Sequence, residues 1–262
     1  MSKILEINNL SYQDFNKINL SFDKNTFYSV IGSNNCGKTT LFKLIAGIIP
    51  SNDMICYNDF YLNFENRRDY IINFGVVDRV NNNSFTYKSV IDEMMYPLHN
   101  LGYSKKKSLD RIQEVLDIFN ASNYVDKKIS ELEFYEKQLL LIMISLLHKP
   151  KILLLDSVLN VFPSVLKDKI ISILKKLTKD MTVVNFTTFL DDTYASDKII
   201  LMDHFKIIGE YNYHDIYQDD KLFYEHNLEI PFIVDLSIKL KMYNITSKEY
   251  SSLKAMVDDI WP

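Results

Sequence analysis

Glycine, proline, cysteine and tryptophan are all scarce in this chain of 262 residues: six glycines, six prolines, two cysteines and one tryptophan. Two cysteines, Cys36 and Cys56, are too few for a disulfide framework and fit a reducing compartment. The shortage of glycine and proline goes with the lack of any low-complexity linker or internal repeat. Basic charge is not in excess, with 30 Lys and Arg against 34 Asp and Glu and a net charge of −4, so no nucleic-acid partner is expected from bulk charge. Five histidines (His99, His148, His204, His214 and His226) lie scattered, without the spacing of a metal cluster. Lys105-Lys106-Lys107 reads as a solvated helix start. The longest apolar run, Leu139 to Leu147 with Ser145 as its one polar residue, falls far short of the ~20 residues that span a bilayer. The opening MSKILEINNL lacks the apolar core of a signal peptide, so any membrane role is expected to be peripheral.

What is present is a 47% hydrophobic composition, enough for one large α/β domain with a small extension, or for two compact lobes. Two of the few glycines are spent in one segment, Gly32-Ser33-Asn34-Asn35-Cys36-Gly37-Lys38-Thr39-Thr40. It fits G-x-x-x-x-G-K-[ST], a loop whose successive backbone N–H groups cradle nucleotide phosphates. In that reading Lys38 reaches the β- and γ-phosphates and the Thr39 hydroxyl sits on Mg²⁺. The flanks agree: Phe27 to Ile31 reads as a buried strand, and Thr39 to Ala46 as a helix ended by Gly47 and Pro50.

Residues 3–8 and 17–22 alternate as half-buried strands, and Ile71 to Val77 reads as a buried one. From Ser89 to Leu147 the pattern is helical, with Ser104 as an N-cap and Leu109, Ile112, Leu116 and Phe119 on one face. Met94-Met95 reads chiefly as core packing. Ile152-Leu153-Leu154-Leu155-Asp156 reads as a buried strand ending in an acid, and after a phosphate loop such an Asp is the expected second half of a Mg²⁺ site. Leu166, Ile170, Ile173 and Leu177 mark another helix, followed by strands at Val183 to Thr187 and Ile199 to Met202.

With these residues in place, the chain resembles the ATP-binding subunits of ABC transporters, most of all the energy-coupling factor ATPases. The resemblance runs over nearly the whole chain: Ile4 to Tyr12, Phe74-Gly75-Val76-Val77, Ser89 to Gly102, and Lys149-Pro150 through Asp156. Asn227-Leu228-Glu229-Ile230-Pro231-Phe232, with Leu236 and Leu240, is similar to the leucine/proline pattern of their C-terminal extension. The resemblance implies a P-loop NTPase core of mostly parallel sheet with an antiparallel β subdomain, a helical insert and a small C-terminal helical extension. The implied boundaries are 1–217 for the ATP-binding domain (core 1–88 and 149–217, insert 89–148) and 218–262 for a dimerisation extension. It implies ATP and Mg²⁺ as cofactors, a second ABC ATPase and a transmembrane coupling subunit as partners, and a cytoplasmic location, peripheral on the inner face of the membrane.

The departures from the family pattern are equally specific. The position of the usual Gln falls on Arg79, the LSGGQ signature on Leu132-Glu133-Phe134-Tyr135-Glu136, and the S-x-L-D segment on Asn160 to Pro163. The catalytic Glu falls on Ser157 and the switch His on Thr188. The base-stacking aromatic falls by spacing on Asp14, with Phe15 or Tyr12 as the aromatic alternatives. Ser157 has no carboxylate to accept a proton from water, and a general base is worth about 10²–10⁴ in rate. Glu133 and Glu136 are expected to bring negative charge to where a triphosphate docks. The binding half is complete and the hydrolytic half is not. The expected protein therefore binds Mg-ATP at an interface with a second ATPase and hydrolyses it weakly or not at all. A structural or regulatory subunit without turnover, a soluble ABC protein without a transporter, and an unrelated phosphate-loop kinase are the alternatives.

Overall fold

A computed structural model describes residues 2–51, 53–63, 65–81, 83–218, 220–246 and 253–260. Its strands are β1 (Lys3–Tyr12), β2 (Phe15–Asp23), β3 (Phe27–Ile31), β4 (Ile55–Tyr57), β5 (Phe60–Tyr61), β6 (Phe74–Val77), β7 (Ile152–Asp156), β8 (Thr182–Thr187), β9 (Lys198–Asp203) and β10 (Lys206–Tyr211). The helices are α1 (Lys38–Ile45), α2 (Arg67–Ile71), α3 (Val90–Asn100), α4 (Lys105–Ile118), α5 (Phe134–Leu146) and α6 (Ser164–Leu177). Four more follow: α7 (Tyr213–Gln218), α8 (Asp220–Glu225), α9 (Phe232–Met242) and α10 (Leu253–Ile260).

The strands form two sheets, a six-stranded one in the order β10-β9-β3-β8-β7-β6 and a four-stranded one in the order β2-β1-β4-β5. In the larger sheet β3, β6, β7, β8 and β9 run parallel, and only β10 turns back, antiparallel to β9. Parallel strands covered on both faces read as continuous apolar runs, and β3 and β7 are buried at every position. Their side chains nonetheless divide by face. Leu153 and Leu155 join a cluster with the helical insert, whereas Ile152 and Leu154 join one with α1 and the antiparallel sheet.

The insert follows the expected helices with one change of face. Ser104 caps α4, its hydroxyl accepting from the Lys107 N–H at 3.5 Å. Leu109 is exposed, and the buried stripe of α4 runs through Ser108, Ile112, Val115 and Leu116 instead. Met94 is fully buried in the insert's core. The strand expected from Ile71 is shorter. Ile71 ends α2 and Ile72 follows it, both exposed, because Tyr70 is the residue anchored inward, its hydroxyl donating to the Ile45 carbonyl at 2.8 Å.

The segment after residue 217 does not stand apart from the core. Of the extension expected at 218–262, residues 219, 247–252 and 261–262 lie outside the described residues. Phe223, Leu228, Ile233 and Val234 are buried in one cluster with Ile31 of β3 and Ile199 and Leu201 of β9. Ile230, Leu236 and Leu240 pack against the same cluster rather than offering a free apolar surface. Burying each such side chain is worth about 1.5–3 kcal/mol. Removing the chain after Gln218 is therefore expected to lower the thermal unfolding midpoint by more than about 5 °C, read by circular dichroism. An unchanged midpoint would show the extension to be thermodynamically separate.

Candidate functional site

The carboxyl ends of parallel strands in an open sheet are where backbone and acidic side chains can converge on a ligand. Here β3 ends at Ile31, level with Thr187 of β8, and β7 ends at Asp156, level with Phe186. The loop between β3 and α1 closes over that edge. A Cβ on Gly32 would lie 2.2 Å from the Met202 carbonyl oxygen and 2.6 Å from Cys36 Sγ, so only glycine lets the loop turn there. Gly37 has φ +107 and begins α1 with no side-chain cap and no acid in its first turn. The first N–H groups of α1 are left without intrahelical partners and carry the positive end of its dipole.

Lys38 is 6% exposed. Its ammonium donates to the carbonyls of Gly32 and Ser33, both at 2.8 Å, and lies 3.7 Å from Cys36 Sγ. Burial lowers its pKa from the ordinary lysine value, and Cys36 and Asp156 oppose that shift. Asp156 is also buried, which raises its carboxyl pKa, and the negative charge of Asp78 adds to the rise. A hydrogen bond from Thr39, another from Ser157 and the charge of Lys38 work the other way. Asn34, Asn35, Gly37, Lys38, Thr39 and Thr40 line one cavity of about 320 Å³ together with Ser157, Thr188 and Phe205.

Of the loop residues expected from the sequence, Asn34, Asn35, Gly37, Lys38, Thr39 and Thr40 line this one space, whereas Gly32, Ser33 and Cys36, and Asp156 with them, do not. Ser157 and Thr188 stand at the same cavity. Ser157 has φ +55, and its hydroxyl donates to Asp156 Oδ1 at 3.3 Å. The hard oxygens of Thr39 and Asp156 suit Mg²⁺, which takes one or two protein ligands and completes its shell with phosphates and water.

The segment Leu132 to Glu136 differs from expectation in its charge. Glu136 does not project freely: Oε2 accepts from the Glu133 N–H at 2.9 Å, capping α5, and Oε1 pairs with Lys127 at 3.4 Å. Its carboxyl stays below the usual range despite burial, through the Glu133 N–H, Tyr124 and Lys127. The helix end and a lysine therefore absorb one of the two expected negative charges. Arg79 is exposed, its guanidinium 5.8 Å from the centre of the Phe134 ring.

Three residues at or beside the site went unread in the sequence. Gln138 is fully buried and clasps the segment after β6, accepting from the Val80 N–H at 2.8 Å and donating to the Asp78 carbonyl at 3.1 Å. Asp78 extends β6 beside Asp156, because Val77 and Leu155 are in register. Phe205 enters from the β9–β10 turn, where it and His204 both have positive φ. Asn-Gly is the usual signal for such a turn, and its replacement by His-Phe hides it.

A phosphate loop opening a helix, an acid ending the neighbouring strand, and a helical insert on a parallel sheet together define an ATP-binding cassette. The ABC transporter family model matches residues 15–160, and the chain belongs to that family. It is 25% identical over 270 residues to the energy-coupling factor transporter ATP-binding protein EcfA1 of Oenococcus oeni, spanning 99% of this chain and 98% of that protein. The protein of the same name from Mesomycoplasma hyopneumoniae is 26% identical over 252 residues, 95% of this chain and 93% of that one. Among solved structures, cbiO1 of Clostridium perfringens, part of the ABC transporter complex cbiONQ, superposes with a TM-score of 0.78. That match has 20% identity and covers 90% of this chain and 99% of cbiO1. A dimeric ATP-binding cassette bound to ADP and phosphate superposes at 0.71 with 18% identity, over 80% of this chain and 99% of that one. Among the described residues no helix is long and apolar enough to cross a membrane.

The raised pKa of Asp156 fixes the sign of one pH effect. An acid whose folded pKa lies above its unfolded value makes folding less favourable as pH rises through that window. Asp156→Asn is therefore expected to raise the melting temperature of the ligand-free protein at pH 7, by about 2–4 °C for each kcal/mol relieved. The gap should narrow as pH falls towards 4, and Mg²⁺ should no longer strengthen nucleotide binding. A lower melting temperature for the variant at pH 7 would contradict this account.

Proposed function

We propose that this chain is the ATP-binding subunit of an energy-coupling factor type importer. It binds Mg-ATP in the cavity at an interface with a second ATPase and hydrolyses it weakly or not at all. The observation that carries the reading is the meeting of the uncapped α1 N-terminus, the Lys38 ammonium and the Thr39 hydroxyl around one cavity, with Asp156 behind its wall, hydrogen-bonded by Ser157, which lines it. A triphosphate fits that set chemically, because backbone N–H groups and a lysine meet its charge while two hard oxygens remain for the metal. Lys38 exchanges the Gly32 and Ser33 carbonyls for phosphate oxygens, which offer it a full counter-charge. Mg²⁺, when bound, screens the phosphates and orients them. Thr39 and Asp156 hold its place, and the desolvated Asp156 carboxylate gains a partner there.

Weak turnover rests on what the cavity wall lacks. Its lining includes Ser157 and Thr188 and no carboxylate or histidine. Asp156 does not line the cavity, and in this reading its carboxylate is committed to the metal rather than to a water. The family relationship favours a transporter role over that of a soluble cassette, and the full-length similarity to proteins named for energy-coupling factor transporters supports it. The partners proposed are a second ABC ATPase and a transmembrane coupling subunit at the inner face of the cell membrane. The segment after residue 217 takes part in dimerisation through the face it turns to solvent, where Phe232, Met242, Tyr243 and Ile245 are exposed. A regulatory subunit that binds ATP without any turnover uses the same site and differs only in rate.

Lys38→Ala is expected to weaken Mg-ATP binding at least about tenfold, since a charge-assisted hydrogen bond is worth about 1.5–3 kcal/mol. Isothermal titration reads the affinity, and equal binding by the variant would refute the assignment. Phosphate release from the wild-type chain should stay near background, and Ser157→Glu alone should not restore it, because Thr188 and the Leu132 to Glu136 segment remain unchanged. Turnover comparable with an ordinary ABC ATPase would reveal a base elsewhere.

A further inference from the structure

We infer that Phe205, carried on the β9–β10 turn, is the platform on which the nucleobase stacks. The inference rests on the nucleotide reading above and assigns its base-binding residue. Of the aromatic candidates that spacing from the phosphate loop offers, Phe15 is 2% exposed, with no free face for a ligand. Neither Phe15 nor Tyr12 lines the phosphate cavity, and Phe205 does. Phe205 lies edge-on to Phe15, with ring centroids 5.4 Å apart and planes at 83°. Phe15 thus backs Phe205, whose ring borders the cavity.

The backbone is built to keep that ring in place. Phe205 has φ +59, a left-handed conformation that is costly for a bulky side chain. Such strain persists only where the surroundings over-determine it, and it clusters at ligand clamps. Here the surroundings are specific. The Phe205 N–H donates to the Cys36 carbonyl at 2.9 Å, joining the turn to the phosphate loop. The ring packs on Gly37 so closely that a Cβ there would come within 2.7 Å of Phe205 Cδ1. Asp203 holds the turn from its other side, pairing with His204 at 2.8 Å and His226 at 3.0 Å. A flat apolar ring beside a loop that holds phosphates is placed to meet the other end of a nucleotide, and every nucleobase has a π-face.

The test compares Mg-ATP with Mg-tripolyphosphate, which shares the phosphates and lacks base and sugar. Titration calorimetry is run on wild type, Phe205→Asn and Phe205→Tyr. Asn tolerates the left-handed backbone while removing the ring, and Tyr keeps the ring. Phe205→Asn should weaken Mg-ATP about tenfold to a hundredfold, with tripolyphosphate affinity unchanged. Phe205→Tyr should bind both like wild type. If Phe205→Asn leaves Mg-ATP affinity unchanged, tightens it, or weakens both ligands equally, the stacking role is overturned while the nucleotide reading stands. If wild type binds neither ligand, the nucleotide reading fails and the stacking role falls with it.

Discussion

The ammonium of Lys38, buried against the carbonyls of Gly32 and Ser33, is the interaction around which the site is arranged. A cation taken out of water needs full coordination, and two neutral carbonyls and a thiol supply only part of it. Its depressed pKa records that shortfall. Asp156, close by, has the opposite problem: a carboxylate held in a buried strand end with Asp78 beside it. Neither charge is well satisfied in the free protein. A ligand carrying both phosphates and a divalent cation would meet both deficits at once, which is the electrostatic ground for the Mg-ATP binding proposed above.

That arrangement depends on the sheet. The parallel register sets Ile31 level with Thr187 and Asp156 level with Phe186, so the ends of three strands and the start of α1 meet. The apolar division of β7 between the insert and the α1 side keeps both faces covered, leaving the polar groups at the edge. Behind β3 and β9, the segment after residue 217 packs on Ile31, Ile199 and Leu201. His226 of that segment reaches Asp203 at the turn bearing Phe205, so the C-terminal helices also brace the site.

The sequence was clearest where function demands a fixed pattern. The phosphate loop, the strand before it and the acid-ended strand β7 could be read from residue type and spacing alone. Ser157 and Thr188 were legible as absences, and both stand at the cavity. What could not be read depends on long-range packing. Leu109 had the right spacing for the core of α4, yet α4 turns Ser108 inward instead. Glu136 read as a free charge, because the Lys127 and Glu133 groups that bind it declare themselves only once α5 is capped. Phe205 was hidden because the turn that presents it carries no glycine or asparagine and sets a bulky ring at positive φ.

Gln138 has a consequence for motion. Both ends of its amide are committed to the backbone on either side of Arg79, and the side chain is fully buried. The segment leaving β6 and the helix α5, which begins at Phe134, are therefore clamped by a two-point joint rather than a hinge. The exposed Arg79–Phe134 contact spans the same two pieces from outside. A push delivered to the outer surface of the insert would pass to the strand end beside Asp156 with little slack, and the same holds in reverse. Such stiffness would let a change at the cavity be felt at the far face of the insert.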